Sequence, residues 1–312
     1  NNDIDCSDES LSHIVESRLR RFATHNIPIV YTAHNLLPHD TQSELDRKIY
    51  KIILQHANII VHHGECSISL IKQHFPDCAN ASHIVCPHGP YTYEPKNDFQ
   101  SRNLYGLPHS KYVFLNFGRQ RPYKGYDFTV KVFKKWNRKD VFLFTRGPKT
   151  TFHNDFHKAF GVFKQKYIEP VRAKIASRVW RASGSIQSPV EQSEISSVIA
   201  ASDVFFLGHQ DGLNSGILSL AASYGKPVVF PDLGNFAEQL SGWPWTESYS
   251  PRNVDSAIKA LQRMKDRIDQ YPPGEIRFDN KGWLDKNSWN KHVLTILKTV
   301  NHCYRKSGSQ SC

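Results

Sequence analysis

Apolar residues follow one another along this chain in two rhythms, short unbroken runs and longer stretches with a single apolar face. The short runs cover residues 27–33, 59–61, 113–117, 141–144, 204–207 and 226–230, and residues 84–85 open another. Unbroken apolar runs of that length read as parallel strands covered on both faces. Residues 11–22, 45–56, a stretch through Ile71 that stops before Pro76, a segment from Tyr126 with Phe128, Val132 and Phe133, and residues 152–177, 189–200 and 288–304 carry helical spacing instead. Strand and helix in alternation predict an α/β fold of parallel sheets joined by right-handed crossovers. Residues 91–108, rich in Pro, Asn, Lys and Tyr, read as a linker between two halves, and residues 306–312 as a frayed tail.

Ligands of such a fold sit beyond the carboxyl ends of its strands, and two of the expected strand-to-helix turns are suited to an anion. The run 204–207 leads through Asp211, Gly212, Asn214, Ser215 and Gly216 into a helix that Ser215 can cap and that Gly225 ends. Amides at such a helix start are unpaired and lie at the positive end of the dipole, which favours a diphosphate. Upstream, the run 113–117 leads into Gly118, and Arg119, Arg121 and Lys124 crowd the turn before Gly125. Arginine neutralises a diphosphate by bidentate bonds and lysine as a point charge. A solvated basic surface accounts for this turn, taken alone, equally well.

Composition narrows the partners. With 312 residues the chain is long enough for two domains, and 39% hydrophobic with 12% aromatic residues excludes a disordered chain. No apolar run approaches the length that spans a bilayer. The net charge of +11 favours anionic partners: nucleoside diphosphates, polyprenyl-phosphate acceptors or an anionic membrane surface. Nucleic acid ranks low, because the basic residues are scattered and accompany no nucleic-acid motif. The six cysteines lack CxxC spacing, which points to a reducing cytoplasm, with the inner face of the plasma membrane as a place of contact. Residues 80–82 form a sequon of the kind that arises by chance. His62 with His63, and His153 with His157, form no ligand array, so no metal site is expected.

Gly118-Arg119 followed by Lys124-Gly125 resembles the GR…KG signature of GT-B nucleotide-sugar glycosyltransferases, family four, of the bacterial polysaccharide-building type. Asp211-Gly212 through Gly225-Lys226-Pro227-Val228 resembles the EG…E…A…G.PV element of the same family. Tyr31-Thr-Ala-His-Asn-Leu-Leu-Pro-His39, Ile59-Ile-Val-His-His63 and Val85-Cys-Pro-His-Gly-Pro-Tyr91 look like the end of its acceptor-side domain. Short motifs that recur in family order are more specific than any one of them.

The resemblance implies two Rossmann-like, doubly wound parallel-sheet domains facing a cleft. Residues 1–100, completed by a helix at 286–305, would be the acceptor side, and residues 101–285 the nucleotide-sugar side. Because the sequence starts at Asn1 and the likeness begins late in the acceptor domain, that domain is expected to be incomplete or shortened. The activity implied is transfer of a hexose from a UDP- or GDP-sugar to a hydroxyl of a glycan or polyprenyl-diphosphate-linked saccharide. It would retain configuration and need no protein nucleophile, obligatory cofactor or metal.

Residue by residue, Arg119 and Lys124 would grip the donor diphosphate, with Gly118 and Arg121 beside them. Asn214, Ser215 and Gly216 would line the nucleotide site, the last two through backbone N–H groups. Asp211 stands where the family has a glutamate on the donor sugar. His34 resembles its active-site histidine. Ser219 stands where the family has the glutamate that holds the ribose, a departure that weakens the ribose contact. A non-catalytic GT-B relative that binds a nucleotide or a partner subunit is the alternative reading.

Overall fold

The structure, a computed structural model, describes residues 8–37, 43–78, 81–92, 94–119, 121–146, 183–186 and 190–308. The first parallel sheet is formed by β1 (Val30–Thr32), β2 (Ile59–His62) and β3 (Ser82–Val85), in that order. Every residue of β2 is buried, as expected of a central strand with no polar face. Helix Trp289–Gly308 returns to this sheet and lays Ile296, Val300 and Cys303 against Ile59, Val61 and Cys86.

The second sheet contains β4 (Tyr112–Phe117), β5 (Val141–Arg146), β6 (Ser183–Ile186), β7 (Val204–Phe206), β8 (Val228–Pro231) and β9 (Thr246–Tyr249). Its six strands are all parallel, in the order β6-β5-β4-β7-β8-β9. Alternate side chains of β4 serve opposite cores. Val113 and Leu115 join Phe205, Leu218 and Trp283 on one face, while Tyr112 and Phe114 join Phe133, Phe206 and Met264 on the other. Helices therefore cover both faces, and the sheet is doubly wound.

Several expected elements shift. The stretch read as a linker contains helix Asp98–Leu104, capped by the side chain of Asn97. Its Arg102 is buried and paired with buried Asp203, which also accepts from the amides of Val113 and Gly274 at 2.7 and 2.8 Å. The third strand ends at Val85, where the sequence suggests that it begins. The last helix continues to Gly308, so residues 306–308 are helical rather than a frayed tail. The helix expected at 152–177, with His153 and His157, lies outside the described residues, as does Asn80 of the sequon. Among the described residues no helix is long and apolar enough to cross a membrane, and no group of His, Cys, Asp or Glu is arranged to hold a metal ion.

Candidate functional site

Strand order reverses between β4 and β7, and an open α/β sheet places its binding crevice at that switch point. Both candidate turns leave these two strands. They are tied together: the Gln210 amide donates to the Tyr123 carbonyl at 2.6 Å, and Asn116 Nδ2 donates to the Phe206 carbonyl at 3.1 Å. Gly125, at φ +60°, lies so close to Gly208 that a Cβ would overlap the Gly208 carbonyl oxygen. Gly118, at φ +100°, turns the chain out of β4 while its amide donates to the Arg146 carbonyl at 2.9 Å. The left-handed conformation and the close approach both require glycine.

A cavity of about 260 Å³ opens between the turns. Phe117, Lys124, Ile195, His209 and Ile217 line it, together with Ser215 and Gly216 at the start of helix Gly216–Ser223. A smaller hollow beside it shares Phe117, Lys124 and His209 and adds Gly118 and Arg119. Among the described residues no carboxylate lines either space. Burial, and then the nearby Arg121 charge, push the Lys124 ammonium down to about 8. Its Nζ meets no hydrogen-bond acceptor among the described residues and lies 3.2 Å from where a Cβ of Gly118 would project. Arg119 is exposed at the rim.

The other expected residues are placed differently from one another. Gly216 opens the helix, so its amide and that of Ile217 have no intrahelical acceptor. The Ser215 amide is already donated to Gln239 Oε1 at 3.0 Å, and the Ser215 hydroxyl makes no cap hydrogen bond. Asn214 borders the cavity, but its Nδ2 donates to the carbonyls of His34 and Ala33 at 2.8 and 3.2 Å, and its Oδ1 accepts from Asn235. Asp211 is exposed and accepts the Gly212 amide at 2.7 Å. Ser219 is fully buried, does not line the cavity, and its hydroxyl has no partner among the described residues. Ser215, Asn214 and Ser219 are thereby set apart from Lys124 and Gly216, which face the open space with unused donors.

Across the cleft, His34, His63 and His88 follow the carboxyl ends of β1, β2 and β3 and converge. The His63 ring lies 5.2 Å from His34, 5.5 Å from His88 and 6.2 Å from His292 of the returning helix. His63 Nδ1 donates to the Cys86 carbonyl, so its Nε2 carries the lone pair and has no partner among the described residues. Burial pushes His63 down to about 4 and lowers His34 and His88, leaving these three imidazoles neutral at pH 7. Tyr91 stacks on His88 at 5.3 Å, donates its amide to Ser223 Oγ, and holds its hydroxyl over Gly216.

In this group the sequence assigns a role to His34 alone, although His63, His88 and Tyr91 lie in segments that resemble the acceptor-side domain. His209, His63 and His88 carry a signal that could have found them, their position just past a strand. His292 carries none, because its partners are distant in sequence.

Segment 235–239 joins the two sides. Glu238 accepts the amides of Glu65 and Cys66 at 2.5 and 3.0 Å, and Asn235 Oδ1 accepts that of Ser67 at 3.1 Å. The start of helix Glu65–His74 on the first sheet is thus capped by residues of the second. Gly64 leaves room for both side chains, since a Cβ there would lie 2.7 Å from Asn235 Oδ1.

No protein-family model matches the chain, and no curated protein matches it in sequence. Solved structures do share its architecture. Sucrose-phosphate synthase from Thermosynechococcus elongatus is 15% identical over 97% of this chain and 79% of its own, with a TM-score of 0.66. Anabaena HepE in complex with UDP is 14% identical over 95% of this chain and 77% of its own, with a TM-score of 0.69. An α,α-trehalose-phosphate synthase from Burkholderia xenovorans, in complex with glucose-6-phosphate, is 14% identical over 93% and 72%, with a TM-score of 0.65. These are GT-B glycosyltransferases, and the chain has their fold, Rossmann-like parallel sheets facing a cleft.

Proposed function

We propose that this chain is a nucleotide-sugar-dependent glycosyltransferase that moves a hexose from a UDP- or GDP-sugar to a hydroxyl of a saccharide. One observation carries the reading: the Lys124 ammonium and the unpaired amides at the helix start at Gly216 face a single cavity that, among the described residues, no carboxylate lines. A diphosphate satisfies both, through the point charge and the helix start. The fold agrees, and so do the ligands of its structural neighbours, since HepE is known in complex with UDP and with UDP-glucose.

In the reaction, the bond between the anomeric carbon and the phosphate oxygen breaks, and its electron pair leaves on the diphosphate. The acceptor oxygen bonds the anomeric carbon, and its proton passes to the departing phosphate. Charge grows on the diphosphate as the bond breaks, where preorganised cations at Lys124 and Arg119 act most strongly. Neutral His34 accepts a hydrogen bond from the incoming hydroxyl and orients it, and Asp211 at the rim holds donor hydroxyls. Residues 101–285 form the donor side, and residues 1–100 with the helix at 286–305 form the acceptor side. The acceptor class is a glycan, in the finer reading lipid-linked and built at an anionic membrane surface, with configuration retained as in family four.

Lys124→Ala and Arg119→Ala are expected to depress transfer or donor hydrolysis by roughly a hundredfold or more, measured with UDP- and GDP-glucose. Lys124→Ala should also weaken UDP binding in calorimetry. Near-normal rates in both variants would remove the assigned roles. Ser219 supports a second reading, a nucleotide-binding relative without catalysis, because the position where the family has its ribose glutamate is here a fully buried serine. UDP binding with neither transfer nor hydrolysis would favour it.

A further inference from the structure

The acceptor side of the cleft carries an exposed aromatic residue that is held in place. Trp289, the first residue of the returning helix, keeps 46% of its surface in water. Its indole Nε1 donates to the Pro90 carbonyl at 2.9 Å, and one face of the ring lies on Gly89, where any Cβ would collide with it. The His88 and His292 rings brace it at 5.4 and 5.3 Å. A ring covered on one face, pinned through its nitrogen and still this exposed presents its other face to the solvent. Binding against it costs little side-chain ordering.

Its surroundings specify the guest. The His88 and His292 rings touch it, and ring contacts continue from His88 to Tyr91 and His63 and from His63 to His34. His88, whose imidazole burial lowers and keeps neutral at pH 7, offers hydrogen bonding without the charge that a phosphate or carboxylate ligand demands. A pyranose ring matches that combination. Its C–H face meets the negative face of an aromatic ring, and its hydroxyls at the edge take hydrogen bonds of either sense. Position agrees too: Trp289 connects to the donor turn through His88 and Tyr91, in ring-to-ring steps of 5.4 and 5.3 Å, and the Tyr91 hydroxyl stands over Gly216.

We infer that Trp289, with the His88 and His292 imidazoles that brace it, forms a stacking subsite for a neutral saccharide ring of the acceptor. This rests on the glycosyltransferase reading above and adds to it the residue that positions the acceptor. Trp289 acts as a specificity-determining residue and takes no part in bond exchange.

The test uses the full chain on an immobilised array of neutral mono- and oligosaccharides, with UDP binding followed separately by calorimetry. Wild type should retain at least one saccharide. Trp289→Ala should weaken that retention about fivefold or more, Trp289→Phe should restore most of it, and both should bind UDP as wild type does. In turnover with the retained saccharide, Trp289→Ala should raise KM for the acceptor and leave kcat within about twofold. Melting temperatures of the two variants guard against unfolding.

Wild type that binds UDP but no saccharide overturns the subsite and leaves the donor reading standing. Retention that survives Trp289→Ala also overturns it. A Trp289→Ala variant that keeps its saccharide but loses attachment to phosphatidylserine vesicles overturns it in favour of a bilayer contact by the same helix. Absence of UDP binding in wild type removes the premise, and the subsite with it.

Discussion

The tautomer of a single histidine can be worked out here from its neighbours. The Ser67 hydroxyl donates to the Gly64 carbonyl at 2.8 Å, so it can only accept from His62 Nδ1, 2.8 Å away. His62 Nε2 then carries a lone pair and accepts from His83 Nδ1 at 2.9 Å. A proton added to His62 would set two donors against each other inside a buried strand end. Burial, and then His83, hold His62 down at about 4, and burial holds His63 there too. Between pH 6.5 and about 4 the unfolded chain therefore binds protons that the native chain refuses, so stability is complete above pH 6.5 and declines as pH falls through that window, by about 1.4 kcal/mol for each unit of depression. Urea midpoints should drop between pH 7 and pH 5, and His62→Gln should flatten the slope; an unchanged slope would clear His62. None of this chain is legible in the pair His62-His63 as written. The Lys124 and Gly118 signature is legible, because spacing within one turn is a local property, whereas the burial of Ser219 depends on which helix face meets the sheet.

Elements were readable where their pattern is strong. The central strands and the helices that flank them announce themselves by unbroken apolar runs and one-sided spacing. The outer strands do not: β6 reads Ser-Gly-Ser-Ile and β9 Thr-Glu-Ser-Tyr, and they pair because their neighbours offer an edge, not because of their own composition. Helix Val254–Ile268 is legible by the ordinary rule, with buried residues at 257, 260, 261, 264 and 268 and an Asn253 cap, yet it lies away from the motifs that lead the eye. Helix Asp98–Leu104 hides in a polar stretch because its buried residues are Ser101 and Arg102, and the partner of Arg102, Asp203, is far off in sequence. The two turns at the switch point give this scale its test. Gly125→Ala faces roughly 1–2 kcal/mol for the left-handed conformation alone, and the overlap with the Gly208 carbonyl forces the turns apart. A fall in melting temperature together with weaker UDP binding is expected. Gly106→Ala has the same φ sign and nothing within 4 Å, so it should lower stability modestly and leave UDP binding intact. Equal effects of the two on UDP binding would show that the contact between the turns does not shape the site.

At the scale of the whole molecule, one of the segments that join the two sheets also supports the donor turn. Asn235 donates its amide to the Leu213 carbonyl at 2.9 Å, and Gln239 accepts the Ser215 amide, while Asn235 and Glu238 cap helix Glu65–His74 across the cleft. Order in the donor turn and closure onto the first sheet are therefore linked, and a coupling of this kind is reciprocal. A ligand held at Gly216 should stiffen residues 213–216, stiffen 235–239 with them, and protect the capped amides of Glu65, Cys66 and Ser67 from hydrogen exchange. Glu238→Ala removes two of the three cap acceptors, at a cost of about 1 kcal/mol typical of a helix cap, without touching the cavity. In that variant UDP should still bind, but exchange at residues 65 and 66 should be fast and no longer respond to UDP. Exchange at Ser67, whose acceptor Asn235 remains, should keep part of its response. If UDP protects these amides equally in wild type and in Glu238→Ala, closure is carried by other contacts, and segment 235–239 only braces the turn on its own side.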